Sequence, residues 1–323
     1  MVGNRTSAAS AVSVRSNWTG AVPSHIAVGY HGHFRRIGSR QANSQQLWSC
    51  SDYFVVEANH QRFIYAPLRA AGVSASTFVH TFKIDACGWL DRWLVRRLAP
   101  VAYELAGEHE LTSPRIADSA LRVLQLILRH YEHGTRRGAV AGARAAPYAG
   151  ALLVRFDAVY RTPVTALPID WAAVNLAFRA EEAPWQAARM TSDLFFALPV
   201  SLGLALVSAL AFSASRTIIG HAHLVYDELV SHVGARRVAF LEPAAHSASN
   251  LEAPRFGGHF LALCRSCAWI ATDPGGWMLE QRCGNWSQRA VWARGTGNEE
   301  HLRRRHDLEW ALQRLDRRPC LPG

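Results

Sequence analysis

Lysine is almost missing from this chain: Lys83 is the only one among 323 residues. The basic excess is therefore carried by arginine, and it is large, with 35 Lys plus Arg against 25 Asp plus Glu, a formal net charge of +10 and a pI of about 9.8. Such a balance fits a polyanion-binding surface. The arginines are scattered, however, apart from Arg303, Arg304, Arg305, Arg314, Arg317 and Arg318 near the end, and GC-rich coding accounts for an arginine-only bias. A nucleic-acid partner is not favoured. No acidic residue precedes Asp52, and the segment before it is rich in Ser, Ala and Arg, the pattern of a transit-type leader. A strand-like piece inside that segment limits the leader, so residues 1–23 are expected to be disordered or leader-like. No hydrophobic signal core is visible.

Other absences narrow the classes further. Of the six cysteines, Cys264 and Cys267 form one CxxC, and no second pair completes a zinc ribbon. Cys283 with His259 or His301 could complete a site, but ordinary thiols at a strand end explain the pair more simply. The chain lacks an unbroken apolar run of membrane length. Leu194 to Ser213 comes close, yet Pro199, Ser201, Gly203 and Ser208 interrupt it, which fits a strand followed by a buried helix. Membrane association stays open on that count. Sequons at Asn4, Asn17 and Asn285 are compatible with a secretory, Golgi-like address, as the leader-like start is with an organellar one, and a soluble cytoplasmic protein is not excluded. No internal repeat is present.

What is present is a 49% hydrophobic chain with 11 tryptophans, ample for a core. Short β-rich runs at Ser24–Tyr30, Thr77–Phe82, Ala151–Phe156, Asn175–Arg179, Asp193–Leu198, Val238–Leu241 and His259–Leu263 read as strands. Leu121, Leu124, Leu128 and Tyr131 recur at helical spacing, so Asp118–Tyr131 reads as a helix with Asp118 placed to cap it. Ser201–Ala214 and Ala222–Val233 read as further helices. The Gly/Ala/Arg-rich stretch Gly134–Pro147 reads as a mobile loop. Strands alternating with helices predict an α/β fold with a mixed, mostly parallel sheet flanked by helices. The expected layout is an α/β domain over 24–270, with 271–323 as an irregular, peripheral C-terminal extension.

The chemistry-bearing residues gather at strand ends. The first strand runs into His31-Gly32-His33-Phe34-Arg35. Glycine lets the backbone approach a phosphate, and arginine offers it a fork of donors. A basic turn with no ligand is the plain alternative. The two His-x-His pairs, His31/His33 and His221/His223, lack an evident third ligand, and surface or helix-cap roles explain them. The buried run Ala151–Val154 ends in Arg155-Phe156-Asp157. Two residues apart on a strand, Arg155 and Asp157 share a face. A carboxylate there can hold Mg²⁺ or Mn²⁺ bridging two phosphate oxygens, or the two can form a structural ion pair. Asp193, after Thr191-Ser192 and eight residues beyond Trp185, suits a general base or acceptor ligand, or simply a turn aspartate.

In this order these motifs resemble a poorly characterised group of glycosyltransferase-like proteins of polysaccharide-synthesis clusters and of algae and plants. The motifs are Gly32-His33-Phe34-Arg35, Phe78-Val79-His80-Thr81-Phe82, a long helix, Arg155-Phe156-Asp157 with Pro163 behind it, and Ser192 to Pro199. The resemblance spans roughly residues 24–265. It implies a single GT-A-like domain that uses a nucleotide-sugar donor and a glycan or other hydroxyl acceptor. Gly32, His33, Arg35, Arg155 and Asp157 would lie at the nucleotide sugar, Asp157 at any metal (Mn²⁺ or Mg²⁺), and Asp193 on the acceptor side as the catalytic candidate. Arg-x-Asp stands where the transferases carry Asp-x-Asp, so one carboxylate replaces two. A catalytically silent carbohydrate- or nucleotide-binding protein of the same fold is the alternative.

Overall fold

The computed structural model describes residues 17–32, 59–82, 95–106, 116–140, 148–156, 158–180, 189–216, 222–243, 245–246, 260–263, 270–272, 278–280 and 291–292. The chain builds β1 (His25–His31), a π-helical turn (Gln61–Tyr65) running into the short helix α1 (Ala66–Ala70), then β2 (Ser74–Phe82) and β3 (Ala102–Ala106). The long helix α2 (Ile116–Val140) follows, and then β4 (Gly150–Arg155), β5 (Ala158–Tyr160), β6 (Val174–Leu176), β7 (Arg179–Ala180) and β8 (Phe195–Pro199). Helices α3 (Gly203–Arg216) and α4 (Tyr226–Val233) precede β9 (Val238–Phe240), β10 (Ala245–His246), β11 (Leu261–Leu263), β12 (Ile270–Thr272), β13 (Met278–Glu280) and β14 (Val291–Trp292).

Seven strands form the central sheet in the order β3-β2-β1-β4-β8-β6-β9. Every neighbouring pair is parallel except the two made by β8, which runs antiparallel to β4 and β6. This is the mixed, mostly parallel α/β sheet that the sequence implies. Three small sheets accompany it: β7 with β10, β5 with β11, and β12-β13-β14.

The period-two pattern explains how the central strands are covered on both faces. Ile26, Val28 and Tyr30 of β1, Leu152 and Val154 of β4, and Phe195 and Ala197 of β8 point into one apolar cluster, shared with Phe63, Ile64 and Leu68 of the α1 region and with Trp18 and Trp171. Ala27, Ala151, Leu153, Phe196 and Leu198 point the other way, onto Val123, Leu124 and Ile127 of α2 and Leu206 and Leu210 of α3. Helix α2 lies so close to β1 that a Cβ at Gly29 would stand 2.9 Å from Ile127 Cδ1.

Two elements differ from expectation, and a third agrees with it. Helix α2 continues through Gly134 and Gly138 to Val140, where a loop was expected. Its apolar face is already anchored on β1 and β2, so adding residues to a formed helix needs no new nucleation. It starts at Ile116, which puts Asp118 in the first turn rather than at the cap. Residues 17–23, expected to be disordered, begin packed. Trp18 is buried edge-on against Trp171 and donates its indole N–H to Val164 O, and Thr19 bridges to Asp170. The apolar run from Leu194 resolves into β8 and α3, and among the described residues no helix is long and apolar enough to cross a membrane.

Candidate functional site

The connections of the sheet single out one edge. From β1 the chain moves outward to β2 and β3, then returns through α2 to β4 on the other side of β1. Strand order therefore reverses between β1 and β4. In open α/β sheets the crevice beyond the carboxyl ends of the strands at such a reversal is where ligands bind. The two strands end together. His31 pairs with Arg155 in register, and Phe156 N–H donates to His31 O at 3.2 Å. The last residue of the first strand and the arginine of Arg-x-Asp thus end their strands side by side.

Gly32 is the first residue beyond β1. Its φ of +89° is a left-handed value that favours glycine. No described atom lies within 4 Å of where its Cβ would stand, so a side chain there would be disfavoured by backbone strain and not by crowding. Both of its backbone groups are engaged by buried side chains. Its N–H donates to Ser119 Oγ of α2 at 2.7 Å, and its carbonyl accepts from Thr81 Oγ1 of β2 at 2.9 Å. Ser119 is held in turn by His80. Its Oγ lies 2.8 Å from His80 Nδ1 and 3.2 Å from His80 O. His80 Nε2 stands 3.9 Å from Glu104 Oε1 on β3, and Arg122 Nη1 of α2 donates to that same oxygen at 2.7 Å. The ends of β1, β2 and β3 and the first turns of α2 are joined by this polar chain, which runs from a buried glycine to a half-exposed ion pair.

Beside His31, at the end of β4, stands Arg155. One guanidinium nitrogen, Nη1, donates to both Asp193 oxygens at 3.0 Å, and each side chain is 4% exposed. The pairing follows from the reversal of β8. Because β8 runs against β4, the residues that lead into it lie beside the end of β4, and Arg155 N–H donates to Leu194 O. Two charges are tolerable here because they are opposite and in contact. Arg155 and Asp193, placed in different roles by the sequence, are therefore brought together as one neutral pair. Asp157 lies outside the described residues, and so do His33 and Arg35. The residues flanking Asp157 are tied down. Phe156 is bonded to β1 as above and stacks on Tyr30 at 5.2 Å. Ala158 O accepts from His60 Nε2 at 2.6 Å, and the Asn59 amide bonds both Tyr160 N and Tyr160 O. Of the His-x-His pairs, His31 is buried at the end of β1, and His223 contacts Thr191 O through Nδ1 at 2.5 Å. Their partners His33 and His221 lie outside the described residues, as do the CxxC cysteines. Among the described residues no group of three or more His, Cys, Asp or Glu side chains is placed to hold a metal ion.

No family model matches the chain. No curated protein matches it either. Among solved structures the chain is similar to a nucleoside-diphosphate-sugar pyrophosphorylase from Vibrio cholerae RC9, at 14% identity over 74% of this chain and 95% of that one, with a TM-score of 0.36. It is also similar to a protein from Desulfovibrio desulfuricans G20 given the name nucleotide-diphospho-sugar transferase, at 10% identity over 71% and 83% of the two chains, with a TM-score of 0.34. At such scores neither likeness bears on function, and the architecture rests on the strand order itself.

Sequence reasoning gave no site role to Ser119, Thr81, His80, Asn59 or His60. One signal was available for two of them. His80 and Thr81 are polar residues inside the run Phe78–Phe82, and both prove buried. Polar side chains in a buried strand need partners, and these find theirs at the strand's carboxyl end.

Proposed function

We propose that the chain is a nucleotide-sugar-dependent glycosyltransferase acting on a glycan or other hydroxyl acceptor, with its donor site in the crevice where strand order reverses. The observation that carries this reading is the registered pairing of His31 with Arg155. It brings the last residue before Gly32-His33-Phe34-Arg35 beside the arginine of Arg-x-Asp, although more than a hundred residues separate the two strands in sequence. Arg35 and His33 are assigned to the diphosphate and Asp157 to its positioning. Gly32 supplies the turn. A divalent cation, Mn²⁺ or Mg²⁺, would be held at Asp157 and would supply charge stabilisation for the leaving nucleoside diphosphate. The chain offers one acid in this motif, so cation dependence is part of the test.

The test is a thermal-shift screen of UDP, GDP, ADP and CDP with and without Mn²⁺, followed by assay of the matching nucleotide sugars for turnover. A ligand that binds only the folded state raises its stability. Selective stabilisation by one nucleotide, abolished in Asp157→Asn and Arg35→Ala, is the expected result. Equal stabilisation of both variants would remove the site from this edge.

One observation favours a second reading, a catalytically silent binder of the same fold. Both oxygens of Asp193 are occupied by Arg155 in a buried pair, which leaves the acceptor-side candidate engaged as a structural anion. Nucleotide binding without turnover of any nucleotide sugar would support that reading, and turnover would exclude it.

A further inference from the structure

The leader-like start of the chain has no part in the reading above, and the structure draws a line through it. We propose that Asn17 marks a processing limit: any leader is removed ahead of it, and residues 17–23 stay with the folded protein as a strap at the amino end of the sheet. This inference is independent of the nucleotide-sugar reading.

Burial and backbone hydrogen bonding decide whether a terminal segment can be lost, and its position in the sequence does not. Here both bind the strap to the loop between β5 and β6. Asn17 N–H donates to Thr165 O at 3.0 Å, and its side-chain amide donates to Ala166 O at 2.9 Å. Thr19 N–H donates to Ile169 O at 2.9 Å, and Thr19 O accepts from Trp171 N–H at 3.0 Å. Between them Trp18 is 8% exposed, its ring 5.3 Å from that of Trp171. The strap also reaches the sheet. A Cβ at Gly150, where β4 begins, would stand 2.5 Å from Trp171 Cζ3 and 2.9 Å from Pro23 Cγ.

The composition changes at the same place. Arg5, Arg15, Ser7, Ser10, Ser13 and Ser16 give the segment its leader-like character, and Asn17 to Pro23 contains neither arginine nor serine. A leader peptidase adds water across one peptide bond. Hydrolysis of the Ser16–Asn17 bond leaves every contact above in place. Hydrolysis between Trp18 and Ser24 detaches the buried indole and leaves Ile169 O and Trp171 N–H without the partners they have in the fold, a loss that buried backbone groups do not tolerate cheaply.

The test has two arms. Thermal unfolding compares the full-length chain with forms beginning at Asn17 and at Ser24, and with full-length Trp18→Ala. The form beginning at Asn17 should melt with the full-length chain. The form beginning at Ser24 and Trp18→Ala should melt lower, by on the order of 10 °C. The second arm digests the unsubstituted full-length chain with chymotrypsin and follows the Trp18–Thr19 bond by mass spectrometry. Cleavage there should be at least about a hundredfold slower in the native protein than in the urea-unfolded chain. Should the form beginning at Ser24 not fold, the digestion and Trp18→Ala decide on the full-length chain. A form beginning at Ser24 that melts with the parent overturns the proposal, and so does native cleavage after Trp18 at the unfolded rate. A form beginning at Asn17 that melts well below the parent also overturns it, because the limit would then lie nearer the start.

Discussion

Removing the carboxylate of Asp193 should destabilise the fold more than almost any other single change at the site. In the native protein the Arg155 guanidinium and the Asp193 carboxylate are both 4% exposed and 3.0 Å apart. Asp193→Ala removes the carboxylate whose two oxygens this buried guanidinium contacts, and arginine does not escape by losing its proton. Breaking a buried pair in this way costs about 3–5 kcal/mol, against a total stability of roughly 5–15 kcal/mol for a folded domain. For a domain of this size that corresponds to a fall in melting temperature on the order of 10 °C. Replacing both partners with apolar residues, Arg155→Met with Asp193→Leu, should recover most of the loss, because the buried charge goes with its partner. The assay is urea and thermal unfolding of the parent, the two single variants and the double variant at low and high salt. Burial predicts that the coupling between the sites survives added salt, since screening acts on exposed pairs. A loss below about 1 kcal/mol in Asp193→Ala, the value for exposed pairs, would refute the reasoning. So would a double variant as unstable as the sum of the singles.

Two further outcomes follow from the packing. Gly150→Ala places a Cβ 2.5 Å from Trp171 Cζ3 and should cost about 1–3 kcal/mol by overpacking, and Gly234→Ala, with φ +79°, ψ 150° and no described atom within 4 Å, should cost about 1–3 kcal/mol by backbone strain alone; chemical denaturation of the two variants measures both. Burial raises the Tyr148 hydroxyl well above the ordinary tyrosine range, and the hydroxyl donates to Ile127 O. The folded state therefore holds this proton more tightly than the unfolded chain. The associated stability is complete below about pH 10 and is lost as pH rises through the folded value. Tyr148→Phe should lower stability at neutral pH and flatten the alkaline fall, and Tyr160, also raised by burial, should keep that fall from vanishing.

Much of the sheet was legible because its signal is local. The runs before Gly32 and before Arg155 are apolar on both faces, and α2 shows its stripe in Leu121, Leu124 and Leu128, so β1, β4 and the core of α2 could be placed from the order of residues alone. Strand pairing is not local, and there the sequence was silent. Nothing near Asp193 announces that it will meet Arg155, 38 positions away, because that contact depends on β8 running backwards. The sequence reading set Arg155 beside Asp157, its neighbour on the same strand face, which lies outside the described residues. The two hydroxyls on Gly32 were hidden for the same reason: Thr81 and Ser119 are unremarkable residues until β2 and α2 converge on the end of β1. The continuation of α2 through Gly134 and Gly138 was missed because weak local propensity gave way to a helix already anchored on the sheet.

The backward run of β8 also sets a schedule for a nascent chain. Until the segment beginning at Asp193 has left the ribosome, Arg155 at the end of β4 lacks the carboxylate that both its contacts in the buried pair reach. A polypeptide halted before that point holds every residue of β1 through β4 and still lacks Asp193, the buried acid beside their common end. The halves of this molecule are thus not independent lobes, and the first becomes a finished surface only when the second arrives.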